Sequence, residues 1–146
     1  MTVQQGAYSI STDKERLDIP YIHSFLAGSY WAANIPLETV EKSIAGSLCF
    51  GVYEGDKQVG FARVITDQAT FGYLADVFID EAQRGRGLSK WLMQTILAHP
   101  GLQGLRRFLL ATHDAHGLYA QYGFTALTFV DRWMNIHQPD IYRQPR

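Results

Sequence analysis

The chain has 146 residues, long enough for one domain with a real core and too short for several. It is 47% hydrophobic and 18% charged, a balance that excludes a disordered chain. Its formal net charge of -1 argues against nucleic acid as the main partner, because binding a phosphate backbone needs a basic face.

Taken in chain order, Met1–Ile10 is polar, with no signal-like apolar run, and no later stretch is long enough to span a bilayer. A cytoplasmic protein without a membrane partner is therefore expected. The segment YSIST (Tyr8–Thr12) alternates weakly and reads as a first strand. From Asp18 the period turns helical, with Ile19, Ile22, Leu26 and Tyr30 on one face, weakened at its end by Gly28 and Ser29. NIPLETVEKSIAG places Pro36 near a helix start, Glu38 in the first turn and Leu37, Val40 and Ile44 on one stripe; Gly46 is the stop. The sole cysteine, Cys49, excludes an internal disulfide, fits a reducing compartment and reads as a small core residue of a buried strand, SLCFGVY.

Three strands follow: Leu48–Tyr53, Gln58–Thr66 and Thr70–Asp80, joined by tight turns into an antiparallel meander. A glycine-rich loop then leads into a helix with Leu88, Trp91, Leu92 and Ile96 on one face, ended by Pro100 and Gly101. RRFLLAT (Arg106–Thr112) is a continuous apolar strand of the kind buried on both faces. DAHGLYAQYG reads as a short helix, capped by Asp114 at its start and Gly123 at its end. FTALTFV and RWMNIH read as closing strands. The order predicts one α/β domain over 1–146, a sandwich built around a mixed sheet.

The loop DEAQRGRGLSKWL (Asp80–Leu92) concentrates flexibility and positive charge at a helix entrance. The first helical N–H groups are unpaired there and the helix dipole adds partial positive charge. Gly85 and Gly87 let backbone approach a ligand, while Arg84, Arg86 and Lys90 bring full charges. The inferred ligand is a phosphate or pyrophosphate. A dinucleotide fingerprint would need a glycine where Lys90 stands, and a P-loop would need Gly-Lys-Ser/Thr.

The spacing RGRGLS (Arg84–Ser89) instead resembles the pyrophosphate loop of the GCN5-related N-acetyltransferases (GNAT), Gln/Arg-x-x-Gly-x-Gly/Ala, with Ser89 in place of the usual small last residue. VFIDEAQ resembles the family's strand before that loop, and LYAQYGF (Leu118–Phe124) its Tyr-x-x-x-Gly-Phe segment. The three motifs stand in the family's order between about Leu48 and Phe124.

The resemblance implies a GNAT fold: a mixed, mostly antiparallel central sheet flanked by about four helices, with a strand splayed at the acetyl-CoA site. It implies acetyl-CoA as cofactor, held by Val77, Phe78 and Ile79 through pantetheine and by Arg84, Gly85, Arg86, Gly87, Leu88, Ser89 and Lys90 through pyrophosphate. It also implies transfer of the acetyl group to a primary amine, with Tyr119 as acid, and pairing as a homodimer. One departure is Asp114, where the family often has an Asn that contacts pantetheine; an ionised carboxylate can only accept hydrogen bonds.

Elementary chemistry sets the remaining demands. An amine with a pKa of about 10 is protonated at neutral pH and must lose a proton before attack, so a base, an acid and an oxyanion donor are required. No metal is needed, and the pair His113 and His116 in HDAH lacks a clustered ligand set. Asp76, a disfavoured residue inside a strand beside the expected pantetheine contacts, is either the base, acting through water, or a solvated carboxylate at a bulge. Glu38 and Glu41 are weaker bases. Tyr30 and Trp31, at the break between the first two helices, either bury or bind the small-molecule or peptide acceptor. Arg63 either holds a substrate carboxylate or lies on a solvated face. The competing class is a module that binds or senses acyl-CoA without turnover.

Overall fold

The computed structural model describes residues 1–143; 144–146, the end of the expected domain, lie outside the described residues. One six-stranded sheet runs in sequence order from β1 (Thr2–Gln5) and β2 (Tyr8–Ser11) through β3 (Leu48–Glu54), β4 (Lys57–Thr66) and β5 (Phe71–Ile79) to β6 (Arg107–Leu110). The first five strands pair antiparallel, and β6 joins β5 in parallel. The helices are α1 (Ile19–Ala27), α2 (Leu37–Ala45), α3 (Leu88–Ala98) and α4 (His116–Ala120). This is the expected open α/β sheet with four helices.

Period-two alternation divides the core. Phe50, Val52, Ala62, Leu74 and Ile79 face α3, where Leu88, Leu92, Met93 and Ile96 close over them. Their neighbours Cys49, Phe61 and Phe78 face the other way, onto Ile22 and Leu26 of α1 and Val40 and Ile44 of α2. Phe25 stacks on Phe78 with ring centroids 3.8 Å apart and so pins α1 to β5. The helix starts follow local rules: the Asp18 carboxylate accepts from the Tyr21 N–H, and Pro20 sits in the first turn of α1.

Four expectations need correction. Thr2–Gln5 forms a strand not foreseen, because its side chains are mostly exposed and give no alternation; pairing with β2 makes it. Helix α1 stops at Ala27, so Tyr30 leaves its apolar face and stands 71% exposed. Asp114 does not cap α4: Ala115 is the cap residue, and the Thr112 hydroxyl accepts its N–H. The closing strands FTALTFV and RWMNIH do not form; the segment is loop, with a 3-10 turn at Val130–Arg132. As a result β6 is the open edge, and its residues are half-buried rather than sealed on both faces. Gly123 does end the α4 turn, at φ +93°.

Candidate active site

The site opens where β5 and β6 part. Their pairing runs from Phe71 with Arg107 to Leu74 with Leu110 and then stops, while β5 continues to Ile79. On its other edge β5 bulges: Phe61 pairs with Phe78 and Arg63 with Ala75, so Asp76 and Val77 lie opposite Ala62 alone. Asp76 takes φ +56°, a left-handed conformation that is costly for a residue with a side chain. Past Leu74, β5 has no β6 residue paired to it among the described residues, and Val77 lines a cleft there.

A polar chain holds that bulge. Arg63 Nε donates to Asp76 Oδ2 at 2.9 Å, and Arg63 Nη1 donates to the Ser47 hydroxyl at 3.1 Å. Trp31 Nε1 donates to Asp76 Oδ1 at 3.0 Å. Both carboxylate oxygens are thus engaged, one from the sheet and one from the α1–α2 loop. Arg63 is therefore not on a solvated face: its side chain is 15% exposed and it lines the cavity beside Asp76. Sequence reading missed this link because the partners are far apart in the chain; Arg and Asp at interior strand positions were its only local signal.

Beyond β5, the Asp80 carboxylate accepts from Ala82 N–H and starts a 3-10 turn over Glu81–Gln83. Gly85 and Gly87 follow at φ +81° and +76°, with open space where a Cβ would stand. Conformation demands glycine here, and the open space leaves the backbone approachable. Gly87 caps α3 with no side-chain hydrogen bond, so the N–H groups that start α3 face outward. The loop cations differ. Arg86 Nη1 donates to the Tyr8 phenol at 2.6 Å and to Gln83 Oε1 at 3.1 Å, which tethers the loop to β2. Gln83 in turn donates to Glu54 at 3.1 Å. Arg84 and Lys90 are exposed and enter no ion pair among the described residues.

Across the cleft, α4 carries Tyr119, half-buried and packed edge-on against Phe124 at 6.0 Å. Burial, and secondarily the nearby Tyr30 phenol, raise its pKa above the ordinary tyrosine value, so it keeps its proton. Tyr119, Tyr30, Trp31, Arg63, Asp76 and Val77 line one cavity of about 520 Å³. Tyr30 packs edge-on against both Trp31 and His113, at 5.2 and 5.8 Å. His113 therefore belongs to this aromatic wall. Among the described residues, no group of three or more His, Cys, Asp or Glu side chains stands close enough to hold a metal ion. No helix of the described residues is long and apolar enough to cross a membrane. Glu38 and Glu41 are exposed on α2 and do not line the cavity.

A splayed strand running into an uncapped helix over a glycine loop can be compared with known proteins. Residues 15–124 match the family model described as Acetyltransferase (GNAT) family. The chain belongs to the GNAT acetyltransferase family. A Gibberella zeae protein designated an acetyltransferase is 33% identical over 140 residues, covering 80% of this chain and 78% of that one. The crystal structure of a GNAT-family protein from Xanthomonas campestris pv. campestris is 51% identical, with a TM-score of 0.93 over 97% of this chain and all of that one. An acetyltransferase of Clostridium acetobutylicum, solved with acetyl-CoA, shares the fold at 12% identity, with a TM-score of 0.64 over 94% of this chain and 96% of that one. The GNAT membership makes the chain an acetyltransferase by family.

The residues present fit a CoA thioester. The unpaired β5 backbone suits an amide-bearing arm, and the outward N–H groups of α3, with Arg84 and Lys90 alongside, suit a pyrophosphate. Leu88 is buried beneath the loop, so only its backbone is available there, whereas Ser89 is exposed.

Proposed function

We propose that this GNAT protein transfers the acetyl group of acetyl-CoA directly to a primary amine, without a metal or a covalent enzyme intermediate. What carries the reading is the parted β5 edge, which shares a cavity with the protonated Tyr119 and runs on through a glycine loop to the uncapped start of α3. Acetyl-CoA, when bound, supplies an activated thioester carbonyl. The backbone of Val77, Phe78 and Ile79 holds the arm, and an N–H of Val77 or Phe78 donates to the carbonyl oxygen as charge builds on it. Gly85, Gly87 and the N–H groups of Leu88, Ser89 and Lys90 cradle the pyrophosphate, with Arg84 and Lys90 adding charge; Arg86 holds the loop in shape through Tyr8.

Tyr119 donates its phenolic proton to the departing sulfur. Its raised pKa suits an acid that must stay protonated at neutral pH. Each Asp76 oxygen accepts one protein hydrogen bond and keeps a further acceptor site, so Asp76 can receive the amine's proton through a bridging water. Tyr30 and Trp31 receive the body of the acceptor, a small-molecule or peptide amine. The reaction is placed in the cytoplasm, where a lone reduced cysteine is at home.

The test is free-thiol release from acetyl-CoA across a panel of amines. Amine-dependent release is expected. In Tyr119→Phe, kcat should fall about a hundredfold, the usual scale of a lost proton donor, with acetyl-CoA affinity unchanged. Tight acetyl-CoA binding with no release from any amine would replace this reading with that of an acyl-CoA sensor.

A further inference from the structure

The lining of the cavity beside Asp76 restricts what can enter. Asp76 and Arg63 are its only Asp, Glu, Lys or Arg side chains among the described residues, and they pair with each other at 2.9 Å. The guanidinium is already engaged: Nε donates to Asp76 and Nη1 to the Ser47 hydroxyl. These four residue types therefore leave the lining without net charge. Aromatic rings supply much of the rest, from Tyr30, Trp31, Tyr73, His113, Tyr119 and Tyr142.

The ring wall is built outward from the core. Phe78 of β5 stacks on Phe25 of α1 at 3.8 Å, and Phe25 meets Trp31 at 6.3 Å. Trp31 meets Tyr30 edge-on at 5.2 Å, and Tyr30 meets His113 at 5.8 Å. The row thus runs from a buried strand to the cavity mouth. Tyr30, near its outer end, is 71% exposed and Trp31 43%. Rings propped in this way offer wide apolar contact with little ordering left to do on binding. Trp31 also donates to Asp76 at 3.0 Å, so wall and carboxylate form one unit.

Each acceptor class meets this lining differently. An ammonium group is attracted by ring faces and by a carboxylate that keeps open acceptor sites. A flat apolar body stacks on the wall. A substrate carboxylate or phosphate would set a second anion beside Asp76, with one engaged guanidinium to serve both. A polycation would need further carboxylates, and Glu38 and Glu41 do not line the cavity. The volume of about 520 Å³ lies within the range of small-molecule sites, about 300–1,000 Å³.

We infer that the acceptor is a small monoamine of the arylalkylamine class: an aromatic ring on a short alkyl amine, with no carboxylate or phosphate. The inference rests on the acetyl-transfer reading for the place of the amine and adds the body that carries it. Tyr30 and Trp31 seat the ring and determine specificity, while Asp76 draws the ammonium end.

The test is calorimetric binding to the full chain, with and without CoA, beside thiol release from acetyl-CoA. The probes are 2-phenylethylamine, ethylamine, L-phenylalanine and spermidine. Against the first, the second lacks the ring, the third adds a carboxylate and the fourth multiplies the positive charge. 2-Phenylethylamine should bind at least tenfold more tightly than each of the others and be acetylated in preference to them. Tyr30→Ala should narrow the ratio of 2-phenylethylamine to ethylamine affinity about threefold to tenfold. A merely structural loss would weaken both amines and keep the ratio, which would overturn the role of the wall. Equal or tighter binding of ethylamine, L-phenylalanine or spermidine overturns the inference, and thiol release with those amines would leave acetyl transfer standing. No binding of 2-phenylethylamine in either state overturns it as well. Binding in the expected order without thiol release would support the ligand class and count against transfer alone.

Discussion

From β2 to β5 every strand has a neighbour on each side, and β3 to β5 have core on both faces; from β6 onward the described residues have a strand neighbour on one side or none. Both regions carry apolar residues in strand-like patterns. In the first region these are buried to zero exposure, as at Phe50, Phe61 and Val64. In the second, Met134 and Ile136 are bare. A strand therefore needs more than a pattern: it needs a second backbone to pair with. The candidate site lies on the seam between the regions, where β5 loses β6 as its partner.

The sharpest way to test this contrast is to truncate one residue in each region. Phe61→Ala should cost about 3–5 kcal/mol in chemical denaturation, because it empties a sealed core position. Ile136→Ala should cost almost nothing, because its side chain is 94% exposed. Equal costs at the two positions would erase the distinction.

Arg63→Met probes the seam itself. It leaves the Asp76 carboxylate, whose side chain is 10% exposed, without its cation, at a cost of about 3 kcal/mol by denaturation. Amine turnover should fall with it, while acetyl-CoA affinity measured by calorimetry should change little, since the pyrophosphate loop is untouched. An unchanged turnover would mean that the bulge holds its shape without the pair.

Gly87→Val should destabilise by about 1–2 kcal/mol, the cost of a left-handed residue with a side chain, and reduce acetyl-CoA affinity at least tenfold. Undiminished binding would show that α3 does not face the cofactor. The smallest effect is on pH dependence. Burial lifts Cys49 to about 11, and lifts Tyr21 and Tyr53 to about 12. Each folded value lies above the unfolded one, so their contribution is intact below about pH 9 and is lost as pH rises through 11 to 12. A melting temperature flat to pH 9 and falling beyond it is expected. Cys49 should likewise stay unreactive to a thiol reagent until the chain unfolds.

Much of the site was legible in the chain. Local rules fixed the meander, the helices, Gly85 and Gly87 at positive φ, and Tyr119 on a short helix after β6, because each depends on neighbours within a few residues. Tyr30 was misread as part of a helix stripe, since periodicity ran on past Gly28, where the hydrogen bonds stop. The role of Arg86 was hidden because Tyr8, its partner, lies 78 residues away.

By itself, then, the sequence determined the order of elements from β2 to α4 and the family, both carried by short-range pattern. Only the tertiary structure decided that Asp76 is clasped from two elements, that Arg86 braces the loop and that the last strand-like segment pairs with no strand among the described residues. Those outcomes depend on which distant backbones meet, and no local pattern encodes that.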